Sequence, residues 1–521
     1  MYGSMFSASV YGVEGRLITV EVDISNGLPQ VNVVGLPDPA VRESIERVRA
    51  AVKNCGFKFP MERITVNLAP ADLRKEGTAF DLAIAAGILS ASGQLLPELY
   101  QGTLVLGELS LSGEIRPVNG VLAMVEQART AGMGRVLLPE ENAAEAACID
   151  GLELFGIRHL RELGDSRQNG TKLGNWEALR YDHRAASRLR YPDGEAGKQL
   201  FEQGDYGDVL GQHHAKRAML IAAVGQHNVL LSGPPGTGKT MLARRLPGIM
   251  PPLEEAEALQ VTKVYSAAGK LGHGPALMRE RPFRTPHHTI SAAGLIGGGS
   301  VPRPGEVTLA HRGVLFLDEL PEFSRTALEV LRQPLEDREV TIARSRAVFR
   351  FPAHFLLAAS MNPCACGYYG HETDDHLCQC SPQQIARYRT KISGPLLDRI
   401  DMHIEVPRPP TTEGLKTGMN SSQMRGIVLE ASARQQERMK GLRPIAELAG
   451  DSLRRAVDLT QEADRMLKLA FDSLGVSLRA HDRILKLART ISDIEQSDLV
   501  EAEHIAEAVG YRSLDRNLLT L

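Results

Sequence analysis

The residues of this chain with the most chemical potential lie in three short stretches. "GPPGTGKT", Gly233 to Thr240, matches the spacing G-x-x-x-x-G-K-[ST]. It follows an apolar run, Val229 to Leu231, and opens a segment rich in helix formers, which is the strand–loop–helix setting this spacing requires. Across Gly233, Pro234, Pro235, Gly236, Thr237 and Gly238, the glycines let backbone N–H groups approach phosphate oxygens, and a helix N-terminus favours the negative charge. Lys239 would then reach the β- and γ-phosphates while the Thr240 hydroxyl ligates Mg²⁺, so ATP and Mg²⁺ are the expected cofactors. A second apolar run, Val314 to Leu317, ends in Asp318 and Glu319. Asp318 is placed to hold Mg²⁺, directly or through water, and Glu319 to polarise an attacking water. A third run, "HFLLAASMNP", ends in Asn362, a polar group suited to orienting that water beside the γ-phosphate. As a helix cap, the two acids would need no phosphate loop nearby. Beside one, hydrolysis is the better reading.

The third stretch is "NPCACGYYGHETDDHLCQC", which holds four of the six cysteines. Cys364 and Cys366 form one C-x-C pair, Cys378 and Cys380 another, with eleven residues between the pairs. Four thiolates can close a tetrahedral zinc site, although common structural sites space each pair more widely. His371 and His376 are potential substitutes for one ligand. The two readings are a structural zinc clip and a set of reduced thiols, and the clip is favoured. Cys55 and Cys148 are expected to be ordinary buried thiols.

The elements that must position these groups can be read coarsely. Up to about Gly164, short strands alternate with helices. In "RITVNLAP", Ile64, Val66 and Leu68 share one strand face. In "PDPAVRESIERVRAAVKNCG", Asp38 is the N-cap, Pro39 the first helical residue and Gly56 the stop, leaving Val41, Ile45, Val48 and Val52 as an apolar stripe. The polar text of 165–200 reads as a linker, with Trp176 either anchoring it to a neighbour or burying itself in a local core. An α/β domain is expected over 201–407 and a helical domain over 408–521. A chain of 521 residues with a formal charge of −3 has no bulk attraction for nucleic acid, so any such binding needs local basic surface. "MYGSMFSASV" does not read as a signal peptide and no apolar run is long enough for a bilayer, so the expected location is the cytoplasm, away from membranes.

The phosphate loop, acidic strand end and Asn362, in that order, resemble the AAA+ ATPases. The resemblance implies an arginine supplied by a neighbouring subunit, and "SGPLLDRID" looks like the segment carrying it, with Arg399 as the finger. The alternative for Arg399 is an ion pair with Asp398 or Asp401. "SLRAHDRILKLART" resembles the sensor-2 region, with Arg479 the best match and Arg483 the reserve. The Gly/Pro-rich insertion "RPFRTPHHTISAAGLIGGGSVPRPGEVTLAHRG" resembles that of the helix-2-insert branch, which includes the magnesium-chelatase ATPase subunits and the MCM helicases. "REVTIARSRAVFRFPA" reads as a hairpin that would present Arg344, Arg346 and Arg350 to a nucleic-acid backbone, or else to solvent or another subunit. Phe283 and the pair His287–His288 are weaker candidates for lining a pore.

Taken together, "VVGLPDPAVRESIERVRAA", "VNLAPADLRKEGTAFDLAIA", "GPPGTGKT", "RPFRTPHHTIS", "LDELPEF", "NPCACGY" and "SGPLLDRIDMHIEV" resemble the ComM/YifB family over nearly the whole chain. The resemblance implies a hexameric, ATP-driven DNA helicase that promotes branch migration when incoming DNA is integrated by homologous recombination in natural transformation. Its alternative is a chelatase-type ATPase that remodels a protein partner without nucleic acid. "RKEGTAFDLAIAAG" and "LSGEIRPVNGVLAMVEQA" look like two segments of the Lon protease domain, with Ala79 and Leu122 where that family carries its serine and lysine. Neither can serve as nucleophile or base. The expected fold is therefore multidomain α/β: a Lon-protease-like domain without its catalytic pair over 1–164, the linker 165–200, a P-loop AAA+ core of the helix-2-insert type over 201–407, and a helical lid over 408–521. The N-terminal domain is left with a binding or ring-organising role, DNA binding included.

Overall fold

The computed structural model describes residues 1–164, 176–182, 204–271, 277–299, 302–344, 347–372, 376–408, 418–439, 445–474 and 478–512. Arg346 and most of 165–200 lie outside the described residues. Contacts divide the chain into two units, Met1–Pro192 with Ala258–Met278, and Asp193–Glu257 with Arg279–Leu521.

The first unit is built on a mixed seven-stranded sheet. Strands β1 (Tyr2–Tyr11), β2 (Glu14–Ser25), β3 (Gln30–Val34), β4 (Arg63–Ala69) and β5 (Thr103–Val105) precede a small ladder of β6 (Glu108–Leu109) with β7 (Ile115–Arg116). With β8 (Arg135–Pro139) and β9 (Glu153–Ile157), the order across the large sheet is β3-β4-β2-β1-β5-β8-β9. On β4, Ile64, Val66 and Leu68 are fully buried, as period-two patterning requires. The helix Pro39–Asn54 begins where the Asp38 carboxylate accepts the Val41 N–H at 2.8 Å and stops before Gly56, whose φ of +85° suits glycine. Its residues Val41, Ile45, Val48 and Val52 are buried, each contributing about 1.5–3 kcal/mol of transfer free energy. By contrast the helix Asp81–Ala91 is buried at every position, so its text is apolar all round.

Leu122 is fully buried in the apolar cluster on this unit's other sheet face, and half-buried Ala79 packs against the same cluster. The two positions that resemble a protease pair thus sit among packed hydrocarbon. Trp176 is 8% exposed and meets Tyr100 and Phe155 edge-on, with ring centroids at 5.3 and 4.9 Å. The tryptophan therefore belongs to the core of this unit. Cys55 and Cys148 are half-buried, contrary to the expectation of burial, because each lies at or just after a helix end where packing covers only one side. Burial still pushes the Cys55 thiol up, against the lowering pull of Arg161.

The second unit carries a five-stranded, fully parallel sheet: β10 (Val229–Ser232), β11 (Phe283–Arg284), β14 (Val314–Leu317), β17 (Leu356–Met361) and β18 (Met402–Glu405). Their spatial order is β11-β14-β17-β10-β18. Two antiparallel ribbons interrupt the chain between these strands, β12 (Gly297–Gly298) with β13 (Arg303–Pro304), and β15 (Glu339–Arg344) with β16 (Ala347–Pro352). β14 and β17 are buried throughout, which is why they read as uninterrupted apolar runs. Helices Ser421–Arg438, Gln461–Leu474, Leu478–Ile494 and Ala502–Gly510 share one core with the sheet, in which Val428, Ile484 and Leu487 join Val229 and Leu231. Because all five strands are parallel, their carboxyl ends open on one edge. The first strand lies inside the sheet, so the connections leaving β10 and β17 run to opposite sides and leave a crevice there.

Candidate nucleotide site

The loop after β10 has the backbone shape that its glycines permit. Gly236 and Gly238 have φ of +80° and +87°, and Gly238 leads into the helix Lys239–Arg244. At Gly233 a Cβ would come within 2.2 Å of the Val406 carbonyl oxygen, so only glycine lets the loop lie against the chain leaving β18. The Lys239 ammonium donates to the carbonyls of Gly233 at 2.7 Å and Pro234 at 2.8 Å, and to Asn362 Oδ1 at 3.3 Å. Burial pulls its pKa down, while the charges of Asp318 and Glu319 pull it up.

The acids ending β14 face different surroundings. Thr240 Oγ1 donates to Asp318 Oδ2 at 3.0 Å, and the Ser360 hydroxyl donates to Asp318 Oδ1. Glu319 takes a left-handed backbone, φ +54°, and its N–H donates to Ser360 Oγ at 3.1 Å. Such a conformation costs a non-glycine residue about 1 kcal/mol or more, and it separates the two side chains. Glu319 is 59% exposed and lies 4.0 Å from His288 Nδ1. An amine, a hydroxyl, a carboxylate and a positive-φ loop thus converge, and this donor set suits a polyphosphate with its Mg²⁺. Lys239, Thr240, Asp318, Glu319 and Asn362 are brought together by three strand ends.

The arginines are placed otherwise. Arg399 is 8% exposed, pairs with Glu336 and donates from Nη1 to the Pro395 carbonyl at 2.7 Å. Arg479 reaches the same carboxylate at 3.0 Å from an exposed position. Arg399 thus pairs with Glu336, and Asp401 receives the Asn228 N–H at 2.8 Å and lies 3.5 Å from Arg483. Arg483 is largely buried there, which lowers its pKa against the pull of Asp401.

On the ribbon β15–β16, Arg344 and Arg350 are exposed, and Arg344 Nη2 donates to the Gly299 carbonyl at 3.0 Å. Among the described residues neither arginine has a carboxylate partner. Phe283 lies on β11, half-buried against the core, with its ring 6.0 Å from that of Phe316. His288 stands beside Glu319 and meets Phe323 edge-on.

The four clustered cysteines meet. Their sulfurs all lie within 4.8 Å of one another, and Cys364 is fully buried. His371 lies 3.1 Å from Glu405 and the His376 ring stacks on Tyr368, so neither histidine belongs to the sulfur group.

Sequence reasoning missed Ser360, Glu336 and Asn228. Ser360 is a polar residue inside a buried strand, two before Asn362, and that was a legible signal. Glu336 is one acid among many on a polar helix, and nothing local marks it. Asn228 precedes β10 and holds Arg399, Asp401 and Leu357 together through its side chain and N–H. A polar residue capping a buried strand could have suggested this.

Three family descriptions match the chain in succession. Residues 20–142 match "Subunit ChlI of Mg-chelatase", 205–414 "Magnesium chelatase, subunit ChlI", and 418–512 "Magnesium chelatase, subunit ChlI C-terminal". The competence protein ComM of Haemophilus influenzae is 42% identical over 521 residues, covering 99% of this chain and 98% of its own. YifB of Salmonella typhimurium is 41% identical over 513 residues, 98% of this chain and 97% of its own. More distantly, Lon protease 2 of Bacillus subtilis is 26% identical over 181 residues, 31% of this chain and 32% of its own.

Proposed function

Because the chain belongs to the ComM/YifB family of magnesium-chelatase-like AAA+ proteins, we propose that it is an ATP-driven, ring-shaped DNA motor that promotes branch migration while transforming DNA is integrated. The observation that carries hydrolysis is the division of labour at the end of β14, where Asp318 is tied to Thr240 and Ser360 while Glu319 faces outward.

Lys239 holds the β- and γ-phosphates once it leaves the loop carbonyls, and the glycine backbone fixes the chain of phosphates in place. Thr240 and Asp318, hydrogen-bonded to each other, would hold Mg²⁺, whose charge when bound would offset that developing on the phosphates. Glu319 polarises the attacking water and takes its proton, and Asn362, already within reach of Lys239, orients that water. Arg399 completes the site of the adjacent subunit in the ring, leaving Glu336 to do so, and Arg479 reports nucleotide state through the same carboxylate.

The reading as a DNA motor is supported by the relative named a competence protein and by Arg344 and Arg350, exposed and without carboxylate partners among the described residues. Steady-state hydrolysis measured with and without single-stranded and forked DNA tests it. DNA should stimulate hydrolysis, less so as salt rises. An Arg344→Ala/Arg350→Ala variant should lose most of the stimulation and reduce the salt slope by about one per phosphate contact removed. Hydrolysis indifferent to every DNA overturns the motor in favour of an ATPase that remodels a protein partner.

A further inference from the structure

We infer that Cys364, Cys366, Cys378 and Cys380 bind one zinc ion, and that this clip braces the loop after β17 against the phosphate loop. The sulfur geometry comes first. The Cys364–Cys366, Cys364–Cys378 and Cys366–Cys378 separations are 3.3, 3.9 and 3.6 Å. A tetrahedral zinc with Zn–S near 2.3 Å spaces its sulfurs about 3.8 Å apart. The group is closed, since His371 is engaged by Glu405 and His376 by Tyr368, which suits a structural site and leaves no position open for catalysis. The backbone supplies a second sign: the Tyr369 N–H donates to Cys364 Sγ at 3.4 Å, the kind of outer contact that orients a metal-bound thiolate.

Zinc here joins three parts of the site. Cys364 follows Asn362 by two residues. Gly367, with φ +92°, lies so close to Pro235 that a Cβ would meet its Cδ at 3.0 Å. Directly after Cys380, Ser381 caps the helix Pro382–Arg389, whose Arg389 donates to the Pro363 carbonyl at 3.2 Å and lies over the Tyr369 ring at 5.4 Å. That helix leads on to Arg399. The metal claim stands alone, whereas the bracing claim rests on the reading of Lys239 and Asn362 as the phosphate site.

The test uses full-length protein purified under reducing conditions without added metal. Elemental analysis should find about one zinc per chain, and cobalt loaded in its place should give the absorption of a tetrahedral tetrathiolate. A Cys378→Ser/Cys380→Ser variant should lose both signals and bind a fluorescent ADP analogue about tenfold more weakly. Where that variant misfolds, chelation of the wild-type protein followed by zinc addition gives the same comparison. Zinc below about 0.2 per chain with no cobalt spectrum overturns the site in favour of free thiols. Bound zinc whose removal leaves nucleotide affinity unchanged overturns the brace. Neither metal readout depends on DNA or hydrolysis, so failure of the motor reading would be seen separately.

Discussion

Asp318 and Glu319 are neighbours in sequence, yet two hydroxyls hold one and solvent bathes the other. The left-handed turn at Glu319 makes this difference, because it prevents both carboxylates from facing the same way. A Glu319→Gln substitution keeps the size but removes the proposed base. Hydrolysis should fall about 10²- to 10⁴-fold, the range for losing a general base, while affinity for a fluorescent ATP analogue stays within about a factor of two. A variant that hydrolyses ATP at the wild-type rate would show that another group polarises the water.

At the scale of elements, three histidines are built into the second unit as neutral groups. His227, just after the helix His213–Gly225, lies 2.9 Å from Thr490 Oγ1, and burial pulls its pKa to about 4 despite Asp401. His311 accepts the His354 N–H at 3.1 Å; burial and then Arg312 bring it to about 3. His354, itself 3.0 Å from Arg312 Nη1, is lowered to about 2 by burial and nearby arginines. Once unfolded, each titrates near 6.5. The unfolded chain therefore binds more protons below that pH, and the stability these groups contribute is present above pH 6.5 and lost as pH falls. Between about pH 6 and pH 5 each histidine should cost up to about 1.4 kcal/mol per pH unit. Urea midpoints across this range test the point, and a flat profile would mean that the folded protein accepts those protons. The same elements explain the arginine ribbon, since β15 and β16 bury Val340, Ile342 and Phe351 and leave Arg344 and Arg350 outside.

For the whole molecule, the decisive pairing is that of Arg399 and Arg479 on Glu336. A finger that serves a neighbour must leave its own subunit's carboxylate, so assembly and release of Arg399 are coupled in the proposed ring. Lys239→Ala and Arg399→Ala proteins should each be nearly inactive alone. Mixed in equal amounts, about a quarter of random interfaces would join an intact Lys239 to an intact Arg399, and hydrolysis should recover accordingly. No recovery on mixing, with mixed assemblies present by mass, would place Arg399 in its own subunit's site or in none.

Most of the candidate site was legible because it depends on bonded neighbours. The phosphate loop, the acids after Val314–Leu317, the helix capped by Asp38 and the two C-x-C pairs are each determined by a few adjacent residues and their backbone preferences. The convergence of two arginines on Glu336, across 63 and 143 residues of chain, was decided only by the tertiary structure. With 60 basic and 63 acidic side chains, charge alone cannot select partners. Likewise, no local pattern announced that Ala258–Met278 would join the first unit, where Lys263 pairs with Glu126 and the Ser266 hydroxyl donates to Glu145. Packing made those choices, because an amphipathic segment states that it must be covered, and only the closed chain determines by what.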